Sequence, residues 1–165
     1  MGLNYNQLIN YMPLINYIPY SAQYLDQIHN LVLNSIAQLN AKDYSPETIH
    51  IMQDWQSIDR LSEKISKGDY YLAIDKDTVV GVGGLVGSEI STMFTDPAYI
   101  KQGIAKNILK LLEKTATQHG IKTLYLSSSL TAQCFYLKCG YTIIRQAIHQ
   151  LNGHDFAAVE MTKSL

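Results

Sequence analysis

The sequence predicts an α/β fold, and three observations carry that prediction. Amphipathic helical patterns crowd the first third of the chain, strand-like runs dominate the rest, and two further helices interrupt those runs. The passage through Pro97 to Gly103 takes a strand into a turn and then into a helix. Near the C-terminus, Asn152-Gly153 stands between two strand-like runs, a signal for a two-residue hairpin. No repeat, low-complexity tract or linker interrupts the chain. Residues 1–165 therefore read as one domain, with 1–13 as an N-terminal extension.

Taken in order, residues 1–13 hold Leu3, Leu8, Ile9 and Met12 among Asn and Tyr, which suits a short helix or a partly ordered arm. Residues 16–20 read as a first strand. Ser21 offers an N-cap for a helix to about residue 39, with Leu25, Ile28, Val32, Ile36 and Leu39 on one stripe. Ser45 before Pro46 marks a second helix, because Pro suits the first helical turn. Ile49, Met52 and Trp55 face inward from it. A third helical piece over 58–66 stops near Gly68. Strands at 70–74 and 79–86 flank a turn at 75–78, and 90–95 is the next strand. Ile104, Ile108, Leu111, Leu112 and Thr115 form the stripe of a helix over 103–119, closed by Gly120. A short strand at 123–126, a helix at 131–138 and strands at 141–149 and 154–160 complete the order.

An apolar fraction of 47% and a charged fraction of 16% suit a globular protein, and a net charge of −1 gives no broad basic face for nucleic acid. No run reaches the roughly 18 apolar residues of a membrane span. The N-terminus lacks the basic start and apolar core of a signal peptide, and Asn6 stands where myristoylation needs Ser or Thr. A cytoplasmic location is expected. Cys134 and Cys139 are five residues apart while helical neighbours are three or four apart, so buried free thiols are expected rather than a disulfide. No His/Cys/Asp/Glu set has metal-ligand spacing, so no bound metal is expected.

A helix opening on Gly103-Ile104-Ala105 leaves backbone N–H groups unpaired at its N-terminus. Those donors and the helix dipole both favour an anion such as a pyrophosphate. About thirty residues later, Ala132-Gln133-Cys134-Phe135-Tyr136 lies on a helix and Gly140-Tyr141 at a strand entry. Together the two stretches resemble the GNAT superfamily of acyl-CoA-dependent N-acyltransferases. Its members carry Arg/Gln-x-x-Gly-x-Gly/Ala after a strand, then Ala-x-x-Phe-Tyr-x-x-x-Gly-Phe/Tyr. The resemblance covers about residues 14–162 and is strongest over 70–145. Tyr44-Ser45-Pro46-Glu47 with Trp55 also resembles one bacterial branch. The chain departs from the pattern at Ile100, which replaces the loop's Arg/Gln, while Lys101 and Gln102 offer polarity nearby.

The resemblance implies a GNAT-like central sheet, mixed and mostly antiparallel, of about six to seven strands flanked by helices. It implies acetyl-CoA as co-substrate, a primary amine of a small molecule or peptide as acceptor, and by family habit a homodimer. Lys101, Gln102, Gly103, Ile104, Ala105 and Lys106 would hold the pyrophosphate. Met93, Phe94 and Thr95 would run along the pantetheine, with Ser129 a further contact. The main-chain amide at Phe94 or Thr95 is the candidate to polarise the thioester carbonyl.

Alkyl ammonium groups titrate near 10.4, so freeing the amine at pH 7 costs roughly 4–5 kcal/mol. Acyl transfer therefore calls for a base at the amine and an acid for the departing thiolate. Tyr136 is the acid candidate by resemblance; alternatively it packs with Ala132, Phe135 and Cys139 as core. Glu89, opening the strand before the loop, is the base candidate, and Asp155 and Glu160 are weaker ones. His149 and His154 flank the hairpin turn, as ordinary exposed histidines do. Lys106, Lys110 and Lys114 read as a solvated helix face. Tyr24, Tyr44 and Trp55 either line an acceptor pocket or belong to the core. The competing function is an acyl-CoA-binding sensor or interaction module without turnover.

Overall fold

The computed structural model describes residues 14–165, so the expected helix or arm over 1–13 lies outside them. After strand β1 (Ile15–Pro19), a 3-10 turn leads into α1 (Leu25–Leu39), followed by α2 (Pro46–Trp55) and α3 (Ile58–Ile65). The local signals that start α2 and α3 are side-chain caps. Ser45 Oγ accepts from the Thr48 amide at 3.2 Å, and Ser57 Oγ accepts from the Arg60 amide at 3.4 Å. Ser21 does not act as expected: it precedes the 3-10 turn and its side chain caps no amide.

The rest of the chain alternates as β2 (Asp69–Asp75), β3 (Thr78–Val86), β4 (Glu89–Thr95), α4 (Ile104–Gln118), β5 (Thr123–Ser129), α5 (Gln133–Lys138), β6 (Thr142–Leu151) and β7 (His154–Ser164). The seven strands form one sheet in the order β1-β2-β3-β4-β5-β7-β6. All neighbours are antiparallel except β4 and β5. Asn152 and Gly153 take φ values of +51° and +79°, the left-handed pair that a tight hairpin turn between β6 and β7 requires. The fold is thus the mixed, mostly antiparallel, helix-flanked sheet expected from the resemblance.

Helices cover both faces. On one face α4 and α5 bury Ile104, Ile108 and Leu112 against Leu124, Leu126 and Met161. On the other, α1, α2 and α3 bury Ile28, Val32 and Leu61 against Leu72 and Val82. Gly81 sets how closely α4 approaches β3, because a Cβ there would stand 2.6 Å from Ile104. The far end of α4 closes as expected at Gly120, with the Ile121 amide donating to the Ala116 carbonyl at 2.9 Å.

Three expectations need correction. Strand β5 continues to Ser129 instead of stopping at 126, because its ladder with β7 runs on through three serines to Ser129 opposite Ala158. Trp55 does not face the core; it is 37% exposed, and the Arg60 guanidinium lies 3.8 Å over its ring. Cys134 and Cys139 are free thiols, but Cys134 is exposed rather than buried. Among the described residues no helix is long and apolar enough to cross a membrane.

Candidate functional site

The sheet opens at its middle. Strands β4 and β5 share one register pair, Glu89 with Tyr125, supported by the Tyr125 amide donating to the Ser88 carbonyl at 3.0 Å. Both strands run the same way from that pair and then part, leaving a gap with backbone groups on its edges.

On the β4 side the gap edge is shaped by a bulge. The register shifts between Val82 and Gly84 of β3, so Thr92 and Met93 together stand opposite Gly83. Thr92 takes a φ of +52°, a left-handed conformation uncommon for a β-branched residue. Its hydroxyl is shared with Ser91 at 3.2 Å and Tyr70 at 3.4 Å. Gly83 makes room for the bulge, since a Cβ there would lie 2.2 Å from Met93 Sδ.

The bulge also decides which amides face the gap. The Asp96 amide donates to the Val80 carbonyl at 2.9 Å, and Phe94 stands in register with Val82. In an antiparallel ladder the pairing side alternates, so the Phe94 amide turns toward β3 while those of Met93 and Thr95 turn toward the gap. Of the two amides weighed from the sequence, Thr95 is the one on the gap side. The Thr95 carbonyl accepts from Ser35 Oγ at 3.0 Å, which ties α1 to the end of β4.

Past β4 the chain makes a braced turn. Asp96 Oδ1 accepts from the Ala98 amide at 2.8 Å, and the Tyr99 hydroxyl donates to Asp75 at 2.7 Å. Lys101 and Gly103 then take φ values of +64° and +83°. Those left-handed turns aim the start of α4 along the gap. Gly103 has no side chain to cap the helix, and its carbonyl accepts the Asn107 amide at 3.0 Å. The amides of Ile104, Ala105 and Lys106 precede that first helical bond, which leaves them as free donors among the described residues. Lys101, Gln102 and Lys106 are exposed around them, Ala105 is half-buried, and Ile104 is buried beneath the turn. Ile100 is 42% exposed, so its replacement of a polar residue leaves an apolar spot on the loop surface.

On the β5 side the chain turns into α5. Ser129 Oγ accepts from the Ala132 amide at 3.2 Å, which gives that residue a turn-forming role. Tyr136 on α5 is 5% exposed, with its ring edge-on to Phe135 and Tyr141 at centroid distances of 5.0 and 5.6 Å. Burial, with a smaller contribution from Cys139, pushes its phenol above the usual range. Its ring therefore does belong to the core, while α5 sets it beyond the end of β5.

Glu89 is exposed at the junction where the strands meet, on the face covered elsewhere by α1, α2 and α3. Ile90 beside it faces the opposite core. Asp155 accepts from Gln150 Nε2 at 3.1 Å. Glu160 accepts both Nε and Nη2 of Arg145, at 2.7 and 3.0 Å. That bidentate bond holds its carboxyl below the usual range, which makes it a poorer base.

The β6–β7 hairpin leans over this face and is pinned there. The Tyr44 hydroxyl donates to the Ala157 carbonyl and accepts from the Leu130 amide, both at 2.8 Å. His154 Nε2 lies 2.9 Å from Thr48 Oγ1. Tyr44 thus works as a strap and also lines a small cavity of about 260 Å³ with Ala37, Ile49 and His50; Tyr24 packs at the edge of the second core. His149, read from the sequence as an ordinary exposed histidine, is half-buried with Nε2 2.8 Å from Ser127 Oγ. Sequence reasoning did not reach Ser127. The alternation of Leu124 and Leu126 with Tyr125 and Ser127 was its only signal, and the strand had been ended one residue short.

Residues 40–165 match the sequence profile of the Acetyltransferase (GNAT) domain. The chain is 28% identical over 139 residues to the uncharacterized N-acetyltransferase YafP of Escherichia coli, an alignment covering 83% of this chain and 87% of that one. Among solved structures, a GCN5-related N-acetyltransferase from Rhodopseudomonas palustris superimposes with a TM-score of 0.87 at 26% identity, covering 93% of this chain and 96% of the other. The PaiA N-acetyltransferase of Thermoplasma acidophilum, solved in complex with coenzyme A, has a TM-score of 0.72 at 20% identity, with coverages of 92% and 99%.

Proposed function

The chain belongs to the GNAT acetyltransferase family, and from that premise we propose that it moves an acetyl group from acetyl-CoA directly to a primary amine of a small molecule or peptide. The observation that carries this reading is the alignment of two unpaired backbone features: the β4–β5 gap and the uncapped first turn of α4 beyond it. An extended amide-bearing chain suits the first, since it can pair with β4 as an added strand. A pyrophosphate suits the second. A ligand carrying both groups end to end is a coenzyme A, the molecule held by the similar PaiA enzyme.

In this reading the amides of Gly103 to Lys106 take the phosphate oxygens, with Lys101, Gln102 and the Lys106 ammonium beside them. The amides of Met93 and Thr95 meet the acyl arm, and one of them stabilises charge that develops on the thioester oxygen. Tyr136 retains its proton across the working pH range because its phenol titrates high, and it donates to the thiolate as the sulfur leaves. Ser129 contributes at the β5 end of the gap. Glu89 lies on the open face where an acceptor enters and is a candidate base there. The exposed Ile144 and Ile148 on the edge strand β6 support a homodimer as the assembly, which sedimentation would test.

Titration calorimetry with acetyl-CoA, CoA and desulfo-CoA tests the cofactor assignment: micromolar binding is expected, and none at millimolar ligand would remove it. A non-catalytic acyl-CoA-binding module is the second reading, favoured by the apolar Ile100 on the loop. Tyr136→Phe separates the two. Thiol release should collapse while CoA affinity barely moves if the protein turns over.

A further inference from the structure

Ser127 Oγ and His149 Nε2 form the one nucleophile–base pair on the open face that the reaction above leaves unassigned. Ser127 stands two residues past Tyr125 on β5, and Ser91 stands two residues past Glu89 on β4. At about 3.3 Å per residue both lie roughly 7 Å beyond the last contact between the strands. Ser127 therefore borders the gap at the level where the Thr92–Met93 bulge begins. By alternation it shares the face of Tyr125, opposite the buried Leu124 and Leu126. His149 comes to it from β6 across β7, with its ring 5.8 Å from that of Phe156. Such a reach requires the sheet to curl over this face.

We propose that Ser127 and His149 form the proton relay for the acceptor amine, an inference that rests on the acetyltransferase reading. As the amine nitrogen bonds to the acyl carbon and the carbon–sulfur bond breaks, the nitrogen gives its proton to Ser127 Oγ. The proton already on Ser127 passes to His149 Nε2. The imidazolium so formed faces the Glu160 carboxylate of β7, which Arg145 of β6 holds from its far side, and it returns the proton to water. The departing thiolate takes a proton from Tyr136, so amide and thiol form with no net change in protons. Imidazole suits the task because it changes charge near neutral pH. The two carboxylates are less well placed: Glu160 is engaged by Arg145, and Glu89 sits where the strands touch rather than where they part. Ser127 is the residue that touches substrate, and His149 acts through it.

One test needs no acceptor. In nitrogen-15 spectra of the full chain labelled in histidine, with CoA bound at pH 7.5, Nε2 of His149 should lack a proton, and its signal should shift in Ser127→Ala. An Nε2–H would overturn the relay, as would an acetyl mass gain on Ser127 after incubation with acetyl-CoA alone. The second test uses tyramine, spermidine and a lysine-containing peptide as amines. His149→Gln and Ser127→Ala should lower kcat at least 30-fold, with the KM for acetyl-CoA within twofold of the parent. His149→Gln should also lose the acidic limb of the kcat/KM profile and regain activity with added imidazole. Unchanged turnover in variants that still bind CoA by calorimetry would overturn the relay and leave the acetyltransferase reading standing. A parent protein that neither binds CoA nor turns over any of these amines would remove both.

Discussion

Glu89 and Tyr125 stand side by side in parallel register, and beyond them β4 and β5 have no further partner residues. The two gap-facing amides of β4, on Met93 and Thr95, are therefore expected to exchange with solvent faster than the Phe94 amide, which the ladder with β3 protects. Adding CoA should slow Met93 and Thr95 selectively if an extended ligand pairs along that edge. Hydrogen exchange read residue by residue checks this, and uniform protection of all three without CoA would refute the open edge.

Gly83 lies beneath the bulge, where an added Cβ would stand 2.2 Å from Met93 Sδ and 2.6 Å from Ile108. Gly83→Ala should destabilise the protein by about 1–3 kcal/mol through overpacking. Met93 has to yield, so CoA affinity should fall as well. Urea unfolding and calorimetry on the same sample report both. A stability loss with unchanged CoA affinity would show that Met93 does not border the ligand.

Tyr141 is 1% exposed, and its hydroxyl has no hydrogen-bond partner, although Glu113 lies close enough to oppose its ionisation. Tyr141→Phe removes a buried polar atom without opening a cavity, so stability should stay level or rise by up to about 1 kcal/mol. The same burial sets a pH dependence. Tyr136 and Tyr141 both titrate above the usual phenol value, so the unfolded chain gives up these protons at lower pH than the folded one. Their contribution to stability is complete below about pH 10 and is lost as pH rises beyond it. Urea midpoints between pH 8 and 11 should fall above pH 10, and Tyr141→Phe should shallow that fall.

The elements best read from the sequence are those whose signal is local. Ser45-Pro46 starts α2, Asn152-Gly153 makes the hairpin, and Gly120 ends α4, because capping and left-handed backbone are properties of a few adjacent residues. The loop around Gly103 was legible for the same reason. What the sequence withheld depends on partners distant along the chain. Strand β5 reaches Ser129 because β7 extends its ladder, and three serines carry no strand pattern of their own. Trp55 looked inward by helical spacing, yet Arg60 of the next helix covers it instead. The Thr92 bulge follows from pairing with Gly83. The meeting of His149 with Ser127 needs the sheet to curl across an intervening strand, which no one-dimensional pattern records.

Ile100 is an apolar side chain, 42% exposed, three residues before the glycine that opens α4. Its backbone is extended, at φ −61° and ψ 153°, which any side chain adopts without strain. Ile100→Arg should therefore fold as the parent does. A guanidinium near the free amides of the first turn would add a charge-assisted bond to a pyrophosphate, worth roughly 1.5–3 kcal/mol when desolvated and less at this exposure. CoA affinity should tighten about three- to tenfold, with most of the gain lost at high salt because the new contact is a surface ion pair. Calorimetry at low and high salt reads both. Dephospho-CoA, which keeps the pyrophosphate but lacks the ribose phosphate, should gain as much as CoA does. If only CoA gained, the arginine would be meeting the ribose phosphate, and the first turn of α4 would not be where the pyrophosphate lies.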